Sequence, residues 1–463
     1  MSLPLLVIGG GLSGLAAAIR AARFVPDILL VEKHSRLGGL NSYFYRENRL
    51  YETGLHAITN YAEPNNKQAP LNRLLRQLKL KRTDFSVCQQ FQSEIVFSDI
   101  ESLTFTNDFQ VLCAEIQTKF PRAVVRFQKL LHFIADFDPF YPAPFRSTRS
   151  FLSEILQEPL LEEMLLCPLM YYGSSRTDDL DLSQFVIMFR AIFQEGIFRP
   201  QGTIKDLINL LTDHFLELGG NIRKSCEVKE ILIKDKRAIG VELDNGDVIE
   251  CNHILSTIGY EETIRLISDA GTPSPTRLPR LGFVETIYLL QPLPPLALPK
   301  NKTIIFFNNG KKFSYRNPSD FVDFSSGVIC FPSNFDGLSK STAQEVRSTH
   351  LANYYRWKEL SSSPDRYSEQ KHFTARHSAH VLEKLIGRFS ANIVYENTFT
   401  PVTIERYTAK INGAIYGSPD KIKDGYIGYP NLFLAGTDQG FLGIIGSMLS
   451  GVSIVNQHIL PKL

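Results

Sequence analysis

Three glycines raise the first question of chemistry. Gly9, Gly11 and Gly14 follow the apolar run 5–8 as G-x-G-x-x-G. In that spacing the first glycine permits a tight turn, the second lets a pyrophosphate reach the backbone, and the third lets a helix pack on the strand. Leu12, Leu15, Ala16 and Ile19 then recur at helical spacing, with Ala17, Ala18, Ala21 and Ala22 allowing close approach. The N-terminus of that helix would face the diphosphate with free N–H groups and the positive end of its dipole. "DILLVEK" reads as a second buried strand ending at Glu32, eighteen residues past Gly14. An acid there accepts hydrogen bonds from ribose hydroxyls and repels a 2′-phosphate, so FAD or NAD is expected and NADP is not.

The elements that must position such a site recur further along. Ile204, Leu207, Ile208, Leu211 and Phe215 carry helical periodicity, and Gly219-Gly220 stops the helix. "VKEILI" and "AIGVEL" follow as strands, and Asn245-Gly246 turns the chain into "VIECNHILSTIG". Near the end "LFLA" reads as a buried strand, Gly436-Thr437-Asp438 as the turn after it, and a helix is expected to begin around Gly446. A strand would again deliver glycines and a helix N-terminus to a place where negative charge sits.

With 463 residues, 43% hydrophobic and 21% charged, the chain has the composition of an ordinary globular protein of about two domains. A net charge of +2 argues against a general nucleic-acid binder. Cys88, Cys113, Cys167, Cys226, Cys251 and Cys330 form no C-x-x-C, which predicts reduced thiols and a cytoplasmic protein. "MSLPLLVIGGG" lacks a basic leader and reads as a first strand, and no run approaches the roughly 18 apolar residues of a spanning helix. No metal-ligand grouping or Ser-His-Asp set is legible, so no metal is expected.

The continuation Arg36-Leu37-Gly38-Gly39 resembles the R-x-G-G extension of FAD-binding flavoproteins of the amine oxidase and phytoene desaturase superfamily. Within that group "YETGLHAI" (51–58) resembles a stretch of retinol saturases and related carotenoid desaturase-like proteins. The block 200–259, "NGAIYG" (412–417) and "NLFLAGTDQGFLGIIGSMLSGV" (431–452) are similar to further segments of the family, so that about half of the chain takes part. The resemblance implies an α/β fold: a Rossmann-like FAD-binding domain from 1–80, 200–270 and 400–463, with an inserted α+β substrate domain from 81–199 and 271–399.

It also implies a site. Around the glycine turn Leu12 and Ser13 join Gly9, Gly11 and Gly14 against FAD, and Lys33 follows Glu32. Arg36, Gly38, Gly39 and Leu40 would follow the cofactor, with Gly54, Leu55 and His56 running by its isoalloxazine. Val228 would meet the adenine, Asp438 and Gly436 the ribityl chain, and Gly443 and the N–H groups of Ile445, Gly446 and Ser447 the flavin ring. His56 is the residue nominated as acid or base, with Glu52 and Tyr416 behind it. With no cysteine in the C-terminal motif, FAD is expected to be held non-covalently.

The activity implied is that of an FAD-dependent oxidoreductase acting on carbon–carbon bonds of an apolar, polyene or isoprenoid-like substrate. A redox-neutral isomerase using reduced FAD, an amine oxidase-like enzyme and a non-catalytic flavin scaffold are the alternatives. No second G-x-G-x-x-G is present, so an external electron carrier of unknown kind is expected. "FIADFDPFYPAPFRSTRSF" (133–151), "VETIYLLQPLPPLALP" (284–299) and six basic residues from Lys67 to Arg82 are compatible with a lipid-facing entrance and peripheral membrane contact, against the plainer reading of core aromatics and solvated charges.

Overall fold

The computed structural model describes residues 2–54, 57–141, 143–268, 277–291, 298–338 and 344–463. Its first layer is a six-stranded sheet in the order 221–223, 29–31, 6–8, 254–256, 432–434, 426–429, parallel except for the last strand. The three-residue runs LVI, LLV, ILS and LFL are buried throughout, as strands covered on both faces must be. Side-chain alternation sorts them. Val7, Leu30, Leu255 and Phe433 face the helices Leu12–Ala22, Ile204–Glu217 and Gly443–Ile454. Leu6, Ile8, Leu29 and Val31 face an antiparallel three-stranded sheet made by 228–234, 237–243 and 248–250. Strand 6–8 pairs with 29–31 on one side and 254–256 on the other, so the chain order reverses there; open α/β sheets bind ligands at the carboxyl ends of strands flanking such a point.

The second layer is a seven-stranded, mostly antiparallel sheet in the order 393–399, 282–290, 344–352, 322–330, 302–308, 92–97, 101–105. Helices between Phe109 and Phe189 pack on one face, and the long helix Pro364–Ile386 packs on the other. The apolar segment beginning at Val284 is therefore the interior strand Gly282–Leu290, not a surface, as far as Leu290; 292–297 lie outside the described residues. The aromatics of 137–145 do reach solvent, at Phe140, Tyr141 and Phe145.

Two details of the last helix depart from the sequence reading. It begins at Gly443, three residues early, because an extended Leu442 precedes it and no Ser, Thr, Asp or Asn cap marks the turn. Its continuation to Lys462 also makes one stretch long and apolar enough to cross a membrane, although half of the apolar window is buried inside the protein. The polar residues Ser447, Ser450 and Asn456 hid that length from a run-by-run reading.

This helix crosses the first one with almost no clearance. A Cβ on Gly451 would lie 2.2 Å from the Ser13 carbonyl oxygen and 3.1 Å from Ala17 Cβ. Gly451→Ala is expected to force the helices apart and to lower the unfolding free energy by about 1–3 kcal/mol, measured by denaturant titration with an unchanged m-value.

Candidate functional site

The site is built where two glycine turns meet. Gly38 N–H donates to the Gly10 carbonyl at 2.9 Å, and Gly11 and Gly38 form a parallel bridge. Gly38 (φ +112°) and Gly39 (φ +58°) both occupy backbone space that favours glycine, and a Cβ on Gly39 would approach Gly11 Cα to 3.3 Å. Behind them Gly14 lets the first helix press on the strand: its Cβ would fall 2.0 Å from the Gly9 carbonyl oxygen. Gly11, in contrast, has open space beside it, with nothing nearer than 4.0 Å. Bare backbone at a helix N-terminus is what a diphosphate needs.

The surrounding groups fit the dinucleotide. Ser13 Oγ is buried, has no hydrogen-bond partner among the described residues and belongs to a residue of the cavity wall. Glu32 is held rigidly, its Oε2 accepting from Gly10 N–H at 2.6 Å and its Oε1 from His34 N–H at 2.7 Å. Lys33 pairs with Glu227 at 2.6 Å, which ties the end of the second strand to the hairpin sheet beside Val228. Arg36 donates to the Tyr43 carbonyl at 3.0 Å.

From this cradle a cavity of about 1280 Å³ continues between the two layers. That exceeds the roughly 300–1,000 Å³ of an ordinary small-molecule pocket, and its two ends differ chemically. One end carries the glycine turns, Glu32 and Lys33. The other is a chamber with Tyr171, Tyr172, Phe283, Val328, Phe399 and Tyr416 on its wall. Tyr416 donates its hydroxyl to the Tyr171 carbonyl at 2.5 Å and meets Phe283 edge to face at 5.9 Å, so these rings are fixed.

Of the residues named from the sequence, Gly9, Gly11, Leu12, Ser13, Glu32, Lys33, Arg36, Gly38, Gly39, Leu40, Gly54, Val228, Gly436, Gly443 and Ser447 line this cavity. Asp438 does not. Its buried carboxylate accepts from Ser418 N–H at 2.7 Å and Tyr260 N–H at 2.6 Å, with Lys421 at 3.9 Å, while Gly436 and Thr437 form the wall at this turn. The turn brings two loops together, and this acid satisfies an N–H group of each; burial meanwhile pushes the Lys421 ammonium down to about 8. Ile445 points into the core, and neither it nor Gly446 is on the wall, because the earlier helix start puts Gly443 and Ile444 at the cavity instead. Leu55 and His56 lie outside the described residues.

The sequence reading missed a buried charge cluster. Glu285, on the cavity wall, accepts from Arg347 Nη1 at 3.2 Å, and Arg347 Nε donates to Glu345 at 2.6 Å. Arg347 is 1% exposed. Close by, Glu52 pairs with Arg199, both nearly buried, and accepts from Ile204 N–H at 2.7 Å. Glu52 is therefore committed to holding the helix Ile204–Glu217. Burial raises the Glu285 carboxyl to about 8, against the pull of Arg347. Its one sequence signal was a lone acid inside "LGFVETIYLL".

Arg199→Met leaves the Glu52 carboxylate buried without its cation and is expected to cost about 3–5 kcal/mol of stability in thermal or denaturant melts. The double variant with Glu52→Gln is expected to cost less than the sum of the single ones.

Comparison with known proteins agrees with this geometry. Residues 12–289 match the family described as flavin containing amine oxidoreductase. The 4,4'-diaponeurosporene oxygenases of Staphylococcus aureus strains bovine RF122 / ET3-1 and USA300 are 22% and 23% identical over 458 residues, 90% of this chain and 88% of each relative. Among solved structures, an oxidoreductase from Methanosarcina mazei superposes with TM-score 0.67 at 14% identity, over 98% of this chain and 99% of that one. Cyclohexylamine oxidase from Brevibacterium oxydans IH-35A gives 0.61 at 13% identity, over 100% and 98%. The chain belongs to the flavin containing amine oxidoreductase family and is an FAD-dependent oxidoreductase.

Proposed function

We propose that this oxidoreductase acts on a carbon–carbon bond of an apolar, polyene or isoprenoid-like substrate, desaturating or saturating it. The observation that carries this reading is the chamber, where fixed aromatic rings and Val328 continue directly from the cradle that holds the dinucleotide. A hydrocarbon without polar handles is selected by such a surface, through apolar contact and exclusion of water. The name of the relatives aligned over 90% of the chain, 4,4'-diaponeurosporene oxygenase, supports the same substrate class.

FAD, when bound, supplies the two-electron chemistry at the substrate carbon. The chain's own groups bind and orient. The glycine turns and Ser13 would hold the diphosphate, Glu32 would serve the ribose, and Val228 would flank the base, all of them on the cavity wall. The lack of a cysteine in 431–452 supports non-covalent retention.

An apolar substrate must arrive from a lipid phase or a carrier. The exposed Phe140 stacks at 5.2 Å on Phe441, two residues before Gly443 of the cavity wall, and Tyr141 and Phe145 stand exposed nearby in sequence. These rings support peripheral membrane contact at the cavity's edge.

The purified protein is expected to be yellow and to lose its flavin absorbance on anaerobic mixing with 4,4'-diaponeurosporene. Isomerised product without bleaching would move the assignment to an isomerase, and a product heavier by oxygen to an oxygenase. Peroxide released with cyclohexylamine would indicate amine oxidation, and silence with every compound a scaffold. In vesicle flotation, Phe140→Ser with Tyr141→Ser is expected to reduce membrane association several-fold; equal flotation of wild type and variant would remove the membrane contact.

A further inference from the structure

We propose that Lys371 and Asn397 form a carboxylate-binding site at the edge of the chamber, so that the substrate is a polyene or isoprenoid-like molecule with one acidic end. The inference deepens the carbon–carbon reading and rests on it for the hydrocarbon part.

Placement comes first. The cavity wall does not stop at Phe399. It continues along the edge strand Ile393–Phe399 to Asn397, whose side chain shares the Phe399 face by alternation, and on to Tyr367 and Lys371 of the helix Pro364–Ile386. Helix and strand are pinned together where His372 Nδ1 and Glu396 Oε1 stand 3.0 Å apart. Those two residues adjoin Lys371 and Asn397 in the chain, so the amino group and the amide belong to neighbouring parts of one wall. Asn397 is two residues from Phe399, about 7 Å along a strand. An end group held there leaves the adjoining hydrocarbon in the aromatic chamber.

Unmatched donors come second. On the same wall Lys33 has Glu227, and Lys410 donates to the Ile258 carbonyl at 2.7 Å. Lys371 is half-buried, yet it has neither a hydrogen bond nor an ion pair among the described residues. Burial lowers its ammonium, and no acid stands near enough to oppose the shift. Asn397 likewise spends its backbone in the sheet and leaves its side-chain amide without a partner among the described residues. Tyr367 does not supply one: its hydroxyl is engaged with Thr400 Oγ1 at 2.5 Å, and its ring is set edge to face on Trp357 at 5.5 Å. Two unengaged donors, one of them charged, beside apolar surface match a carboxylate at the end of a chain. The ammonium supplies the opposite charge and the amide N–H a second hydrogen bond. An uncharged end would leave the desolvation cost of the ammonium unrelieved.

The test is equilibrium dialysis of the FAD-loaded protein against all-trans-retinoic acid and its methyl ester, which share a polyene and differ in the charge of one end. Wild type is expected to bind the acid roughly 10- to 100-fold more tightly than the ester. Lys371→Met should remove that preference by weakening the acid alone, and Lys371→Arg should retain most of it. Asn397→Leu should weaken the acid by roughly 3- to 10-fold. Each variant should keep the wild-type flavin content and absorption spectrum, which reports an intact fold and cradle. Equal affinity for acid and ester in wild type, binding of neither, or the wild-type preference in Lys371→Met overturns the proposal. Loss of FAD from folded Lys371→Met would assign the lysine to the cofactor and overturns it too. The wild-type comparison and Asn397→Leu decide the question even where Lys371→Met does not fold. A preference for the acid in a protein whose flavin no polyene bleaches overturns the carbon–carbon chemistry and leaves the carboxylate site standing.

Discussion

The structure depends on backbone reaching backbone at one point. The turn at Gly9–Gly14 and the turn at Gly38-Gly39 touch through the Gly38 N–H and the Gly10 carbonyl, and a Cβ on Gly39 would close on Gly11 Cα to 3.3 Å. That contact fixes the start of the first helix, the reach of Glu32 and the floor on which a diphosphate would lie. The third party to it is the C-terminal helix, which Gly451 allows to press on Ser13 and Ala17. Segments more than 400 residues apart in sequence are thus locked around one ligand site.

The second layer answers a different demand. Its chamber walls are mostly aromatic and apolar, yet they carry buried charge. The strand Gly282–Leu290 contributes Phe283 and Glu285 to the same wall, and Arg347 donates to Glu285. Burial in these surroundings raises the Glu285 carboxyl to about 8, against the pull of Arg347. Glu52, on the stretch read from the sequence as running by the flavin, is instead committed to Arg199 and to the start of the helix Ile204–Glu217.

The cradle was legible in the sequence because its parts are local. Glycine spacing, an apolar three-residue strand, a helical period and an acid at a set distance all lie within residues 6–39, and they report backbone geometry directly. The Asn245-Gly246 hairpin and the Gly219-Gly220 stop were readable for the same reason. The C-terminal helix was found but misplaced, since an apolar run entered through Leu442 and Gly443 carries no capping side chain. Asp438 shows the opposite limit: its place in the chain was right, but which way its carboxylate points depends on the N–H groups of Ser418 and Tyr260, which the sequence does not set beside it.

The sequence by itself determined the dinucleotide cradle and, through the resemblance of its motifs, the class of cofactor. Tertiary structure alone decided the chamber and its charges. Glu285, Arg347, Glu345, Glu52 and Arg199 come from four strands, and they become one cluster only through sheet register and the packing of the two layers. Proton affinity in such a cluster is a property of burial and of charges brought together from distant segments, and neither is written in local spacing.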